Sequence, residues 1–137
     1  ASLEARLSEK QQPHSKKPRT LRLTSSSTLA SDNADYVRQW RDRVEKMGNL
    51  HYPQKARDDK LYGNVRLLVG IQSSGVVDTI EVRSSSGRAV LDQAAKESIL
   101  LASPFEPFPD QLAARYDRIE VIRTWQFSKD KLTAKAI

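Results

Sequence analysis

The chain has 137 residues, no cysteine and a formal net charge of +6. That length suits one domain, and the missing cysteines exclude both a disulfide framework and thiolate metal sites. Six basic and two acidic side chains lie in residues 1–31, so +4 of the charge sits there, and a basic tail on a near-neutral remainder argues against a nucleic-acid-binding face.

Residues 1–31 are rich in Ser, Lys, Arg, Gln and Thr and carry Pro13 and Pro18. They read as a flexible basic linker, with residues 32–137 forming the domain. Tyr36, Val37, Trp40, Val44 and Met47 recur at helical spacing and predict a helix over 33–47, ended by Gly48 in a left-handed conformation. Asn49, Leu50, His51 and Tyr52 are expected to be extended, because the residue before a proline is biased away from helix. Pro53 suits the first position of a short helix reaching Lys60, with Gly63 closing that piece.

Val65, Leu67, Val69 and Ile71 then alternate with Arg66, Leu68 and Gly70, and Val76, Ile80 and Val82 alternate with Thr79, Glu81 and Arg83. The turn Gln72-Ser73-Ser74-Gly75 joins these two strands into an antiparallel hairpin. After Ser84-Ser85-Ser86-Gly87, the positions Val90, Leu91, Ala94, Ala95, Ile99 and Ala102 mark a helix that covers one hairpin face. Pro104, Pro107 and Pro109 make the next stretch irregular. A third strand follows, with Ile119, Val121, Arg123, Trp125 and Phe127 on one face and Glu120, Ile122, Thr124 and Gln126 on the other. The predicted fold is a small α+β domain, with a three-stranded antiparallel sheet and helices packed on one face.

Catalytic chemistry finds little support in these residues. His14 and His51 have no partners at metal-ligand spacing, adjacent Asp58 and Asp59 diverge on a helix, and the five glycines form no phosphate cradle. The expectation is therefore a non-enzyme without cofactor or metal. Binding has a better basis: a third strand closing a sheet has one neighbour and leaves a free row of backbone donors and acceptors, which is either blunted by charge or used for docking.

Leu50-His51-Tyr52-Pro53 with Ala56, Gly63-x-Val65, Gly75-x-Val77, Ser85-Ser86-Gly87, Leu91-Asp92-x-Ala94-Ala95, Phe105-x-Pro107 and Trp125-x-Phe127 together resemble the C-terminal domain of the TonB family. The resemblance implies a periplasmic domain of a protein anchored in the inner membrane by a helix outside this fragment, where ExbB and ExbD harvest proton-motive force. It implies partners among TonB-dependent outer-membrane receptors for siderophores or cobalamin. Their TonB box would add as a strand to Ile119, Glu120, Val121, Ile122, Arg123, Thr124, Trp125, Gln126 and Phe127, with a secondary receptor contact at Asn49, Leu50, His51 and Tyr52. An exposed edge would also allow a homodimer by edge pairing or strand exchange. Two alternatives are a TolA-like envelope-stability module, favoured less by Tyr52-Pro53-x-x-Ala56 with Gly63-x-Val65, and a basic nucleic-acid-binding domain, motivated by an isoelectric point near 9.7.

Overall fold

A computed structural model describes residues 17–24, 31–129 and 131–135. Its elements in order are β1 (Thr20–Leu23), α1 (Ser31–Leu50), α2 (Gln54–Asp58), β2 (Gly63–Gln72), β3 (Val77–Ser84), α3 (Ala89–Ala102), α4 (Asp110–Arg115), β4 (Arg118–Ser128) and β5 (Lys131–Lys135). The α+β class holds, but the sheet has five strands instead of three, in the order β1-β4-β2-β3 with β5 also on β4. Nor is it wholly antiparallel, because β1 runs parallel to β4.

The central pair is β2 with β4, in register from Gly63 opposite Phe127 to Gln72 opposite Arg118. Period two puts Val65, Leu67, Val69 and Ile71 of β2 on the same face as Ile119, Val121, Trp125 and Phe127 of β4, and α1 and α3 bury that face with Val37, Trp40, Val44, Leu91, Ala95 and Ile99. Opposite Leu68 on the other face is Ile122, and both are buried.

The β2–β3 turn closes with Gly75 N–H donating to the Gln72 carbonyl at 2.8 Å. Gly75 has φ +92°, and a Cβ there would run into the Phe105 carbonyl, so glycine is required both by conformation and by close approach. The proline-rich stretch lies on this turn through Phe105 N–H to the Gly75 carbonyl at 3.0 Å and Phe108 N–H to the Ser73 carbonyl at 2.9 Å. Ser85 and Ser86 are tied to the first turns of α3 through Asp92, whose carboxylate accepts from Ser85 Oγ, from Ser86 Oγ at 2.7 Å and from Ser86 N–H at 2.9 Å. Burial alone would raise the Asp92 carboxyl, but these serine bonds hold it below its ordinary value.

Several local expectations need correction. Helix α1 runs through Gly48 to Leu50, so Gly48 is no terminator and Asn49 and Leu50 are helical instead of extended. The physical reason is packing: a Cβ on Gly48 would overlap Leu132 of β5, so glycine lets strand and helix approach. Pro53 precedes α2 as its N-cap residue, and Gly63 opens β2 instead of ending a helix. Residues Thr20–Leu23, assigned above to the linker, are part of the sheet. Ser31 opens α1, and residues 1–16 and 25–30 of the linker assignment lie outside the described residues.

Candidate docking edge

Strand β4 presents its second edge to two short strands instead of to solvent, which overturns the expectation that it has a single neighbour. Its first half pairs with β1, with Leu21 opposite Ile119, Arg22 opposite Glu120 and Leu23 opposite Val121. The second half pairs with β5, from Thr124 opposite Lys135 to Ser128 opposite Lys131. Only Ile122 and Arg123, of the nine residues read as a docking strand, have no register partner on that side among the described residues.

The inward side chains of that strand belong to the core. Ile119, Val121, Trp125 and Phe127 are at most 2% exposed, so nothing arriving at this edge touches them without opening the fold. Trp125 donates from Nε1 to Ser98 Oγ at 3.1 Å and meets Trp40 edge to face at 6.1 Å. Arg123 shares the inward face at the gap between β1 and β5. Its Nη1 lies 3.5 Å from the Ala134 carbonyl, and its buried Nε has no partner among the described residues. Burial, with repulsion from Arg41, holds this guanidinium below its ordinary value against the pull of Glu45.

The outward face carries a charge ladder across the sheet. Arg118 grips Asp78 of β3 with two bonds, Nε at 3.0 Å and Nη2 at 2.8 Å, while its Nη1 donates to Glu120 at 3.0 Å. Glu120 also accepts from Arg22 of β1 at 2.8 and 3.0 Å. To reach Asp78, Arg118 passes over Gly70 of β2, where any Cβ would block both partners. Register skips Asp78 between the pairs Gly70–Thr79 and Ile71–Val77, and this bulge aims the carboxylate at the arginine. The Arg118 bonds pull the Asp78 carboxyl below its usual range; for Glu120, burial would raise the value but Arg118 and Arg22 outweigh it and lower it. Thr124 Oγ1 lies 3.2 Å from Arg66 Nη1 on the same face.

The four residues read as a secondary contact separate into two pairs. Tyr52 is 7% exposed and packs against Phe127 at 5.8 Å with Arg57 over its ring, so it belongs to the core. Asn49 is half-buried and clamps β5, accepting from Leu132 N–H at 2.9 Å and donating to the Leu132 carbonyl at 3.1 Å. Leu50 and His51 remain at the surface, Leu50 at 65% exposure.

Sequence reasoning missed β1, β5 and α4. The available signal was faint: Leu21 and Leu23 alternate with Thr20 and Arg22, and Leu132 and Ala134 alternate with Lys131, Thr133 and Lys135. Two apolar positions in so short a run do not distinguish a strand from chance.

This arrangement of a hairpin, a covering helix and a long closing strand defines a small α+β module, and comparison with known proteins gives its family. The family model for the Gram-negative bacterial TonB protein C-terminal matches residues 48–129, more than half of the chain, and the chain belongs to that family. Two solution structures of the Helicobacter pylori TonB C-terminal domain are similar. Residues 194–285 of that protein superpose at a TM-score of 0.53 with 21% identity, covering 69% of this chain and 94% of that one. The longer form, residues 179–285, gives a TM-score of 0.51 and 21% identity over 75% and 96%. No curated protein sequence matches the chain. Both strands that occupy the second edge of β4 lie outside the residues matched by the family model. No helix among the described residues is long and apolar enough to cross a membrane, and no cluster among them could hold a metal ion.

Proposed function

We propose that this domain is the receptor-gripping part of a periplasmic TonB-type energy transducer, non-catalytic and anchored in the inner membrane through a segment outside this fragment. It binds the TonB box of outer-membrane receptors by strand addition within residues 119–127, on the half of the β4 edge that β5 does not cover, and it passes to them work derived from proton-motive force through ExbB and ExbD for uptake of siderophores or cobalamin. Leu50 and His51 supply an accessory contact beside it.

The observation that carries this reading is the second edge of β4, which accepts a parallel strand at one end and an antiparallel strand at the other. Backbone pairing of that tolerance suits partners of varied sequence. The outer edge of β3 is a poorer candidate. Its register slips at two places and it exposes Glu81 and Arg83, features that blunt an edge.

A synthetic peptide of six to eight residues copying a receptor's TonB box should bind the 137-residue chain weakly, on the order of micromolar to millimolar, because ordering each residue costs about 1–2 kcal/mol before any gain. Methylating alternate peptide amides on the edge-facing side should abolish binding, while methylating the opposite set should not. Amide shifts of residues 118–127 that stay still up to millimolar peptide would refute strand addition here.

A further inference from the structure

We infer that β1 is a built-in competitor for the docking edge: residues 20–23 occupy the first half of the β4 edge as a parallel strand, and an incoming receptor strand binds by displacing β1 while β5 stays. This rests on the strand-addition reading above and adds its regulation.

The two flanking strands are held very differently. Strand β5 places Leu132 and Ala134 in the core, both at most 1% exposed. Its far edge is also occupied, since Leu132 N–H donates to Asn49 and Ala134 N–H donates to Glu45 Oε1 at 3.0 Å. Removing β5 would open the core and strand polar groups of α1.

By contrast, β1 buries one side chain, Leu23, and leaves Thr20 and Arg22 exposed. Leu21 is only partly buried against the core, and the side-chain polar hold comes from Arg19, to Asp117 at 3.0 Å and the Ala114 carbonyl at 2.8 Å, and from Arg22 to Glu120 at 2.8 Å. Arg19 also caps the end of β4, its carbonyl accepting from Asp117 N–H at 2.8 Å and Arg118 N–H at 3.2 Å. The Arg19–Asp117 pair is about half exposed on both sides, and ion pairs of that kind contribute little and weaken with salt. When β1 leaves, Arg118 keeps Asp78 and Glu120, so neither of these shielded carboxylates is left without its arginine.

Covalent connection compensates for this weak hold. Leu23 lies eight positions before the start of α1 in the chain, so β1 competes as an intramolecular ligand at high effective concentration. A free peptide must outcompete it, and a receptor strand that repeats its pattern does so best: parallel to β4, with apolar side chains at the Leu21 and Leu23 positions.

The chain has no cysteine, which makes a disulfide lock clean to build. In the full 137-residue chain, the pair Arg22→Cys and Glu120→Cys, directly opposite in register, should bind the TonB-box peptide at least about tenfold more weakly when oxidised than when reduced. Leu23→Asp, which removes the one buried anchor of β1, should tighten binding by about tenfold; if that variant does not fold, the oxidised-against-reduced comparison decides alone. Equal affinity of the oxidised and reduced forms, with shift changes still on residues 118–127, overturns displacement of β1 and leaves strand addition standing. Absence of binding in the reduced pair and in the parent chain overturns strand addition itself, and this inference with it.

Discussion

Trp125 has no exposed surface, and its one polar atom is satisfied by Ser98, a buried serine whose Oγ also donates to the Ala95 carbonyl. The indole therefore ties β4 to the middle of α3 by packing and by a single bond whose loss would leave a buried donor. Trp125→Ala should cost about 3–5 kcal/mol of stability, as expected for emptying a large aromatic site. Ser98→Ala keeps the volume nearly unchanged, so its cost, about 1–3 kcal/mol, isolates the unsatisfied indole N–H. Chemical denaturation of both variants checks the pair of values, and a neutral Ser98→Ala would show that the indole finds another acceptor.

At the scale of elements, Gly48 shows where local rules and packing disagree. By propensity, alanine in the interior of α1 should stabilise by about 1 kcal/mol over glycine. A Cβ there would overlap Leu132, which is fully buried, and would press on Ser98 Cβ at 3.2 Å. Overpacking of this kind costs about 1–3 kcal/mol, so Gly48→Ala should destabilise on balance and speed amide exchange across residues 131–135. A gain in stability would mean that Leu132 and β5 yield easily. The same residue explains what could be read in advance. The strands β2 and β4 and the helix α3 have four or more apolar positions at one period and β3 has three, and they stand where the sequence puts them. Gly48 looks like a terminator because its reason for being glycine lies 84 residues away, on β5. Tyr52 likewise looked like an exposed pre-proline contact, and its burial depends on Phe127, which no local pattern connects to it. Strand β4 is legible from its alternation, but the state of its edge depends on β1 and β5, each too short to announce itself.

Across the whole molecule, one polar network joins strands that the core alone does not hold together. Asp78 on β3, Arg118 and Glu120 on β4 and Arg22 on β1 form a continuous chain over the sheet face opposite the helices. Both carboxyls of that chain, and Asp117 beside it, lie below their ordinary values in the folded protein. A carboxyl depressed by folding contributes stability that is present above its unfolded value, about 3.9 for Asp and 4.3 for Glu, and that is lost as pH falls through the lower folded value. The chain should therefore hold its melting temperature down to about pH 5 and lose it progressively below about pH 4. Arg118 and its two partners are largely shielded, whereas the Arg19–Asp117 pair is half exposed, so most of the acid sensitivity should come from Asp78 and Glu120. Asp78→Asn combined with Glu120→Gln should lower the melting temperature at pH 7 and flatten its fall between pH 5 and 2.5, the two curves converging in acid where the parent carboxylates are protonated. Thermal melts of both proteins across that range measure the difference in slope. Parallel curves, offset by the same amount at every pH, would show that the network contributes through shape and not through charge.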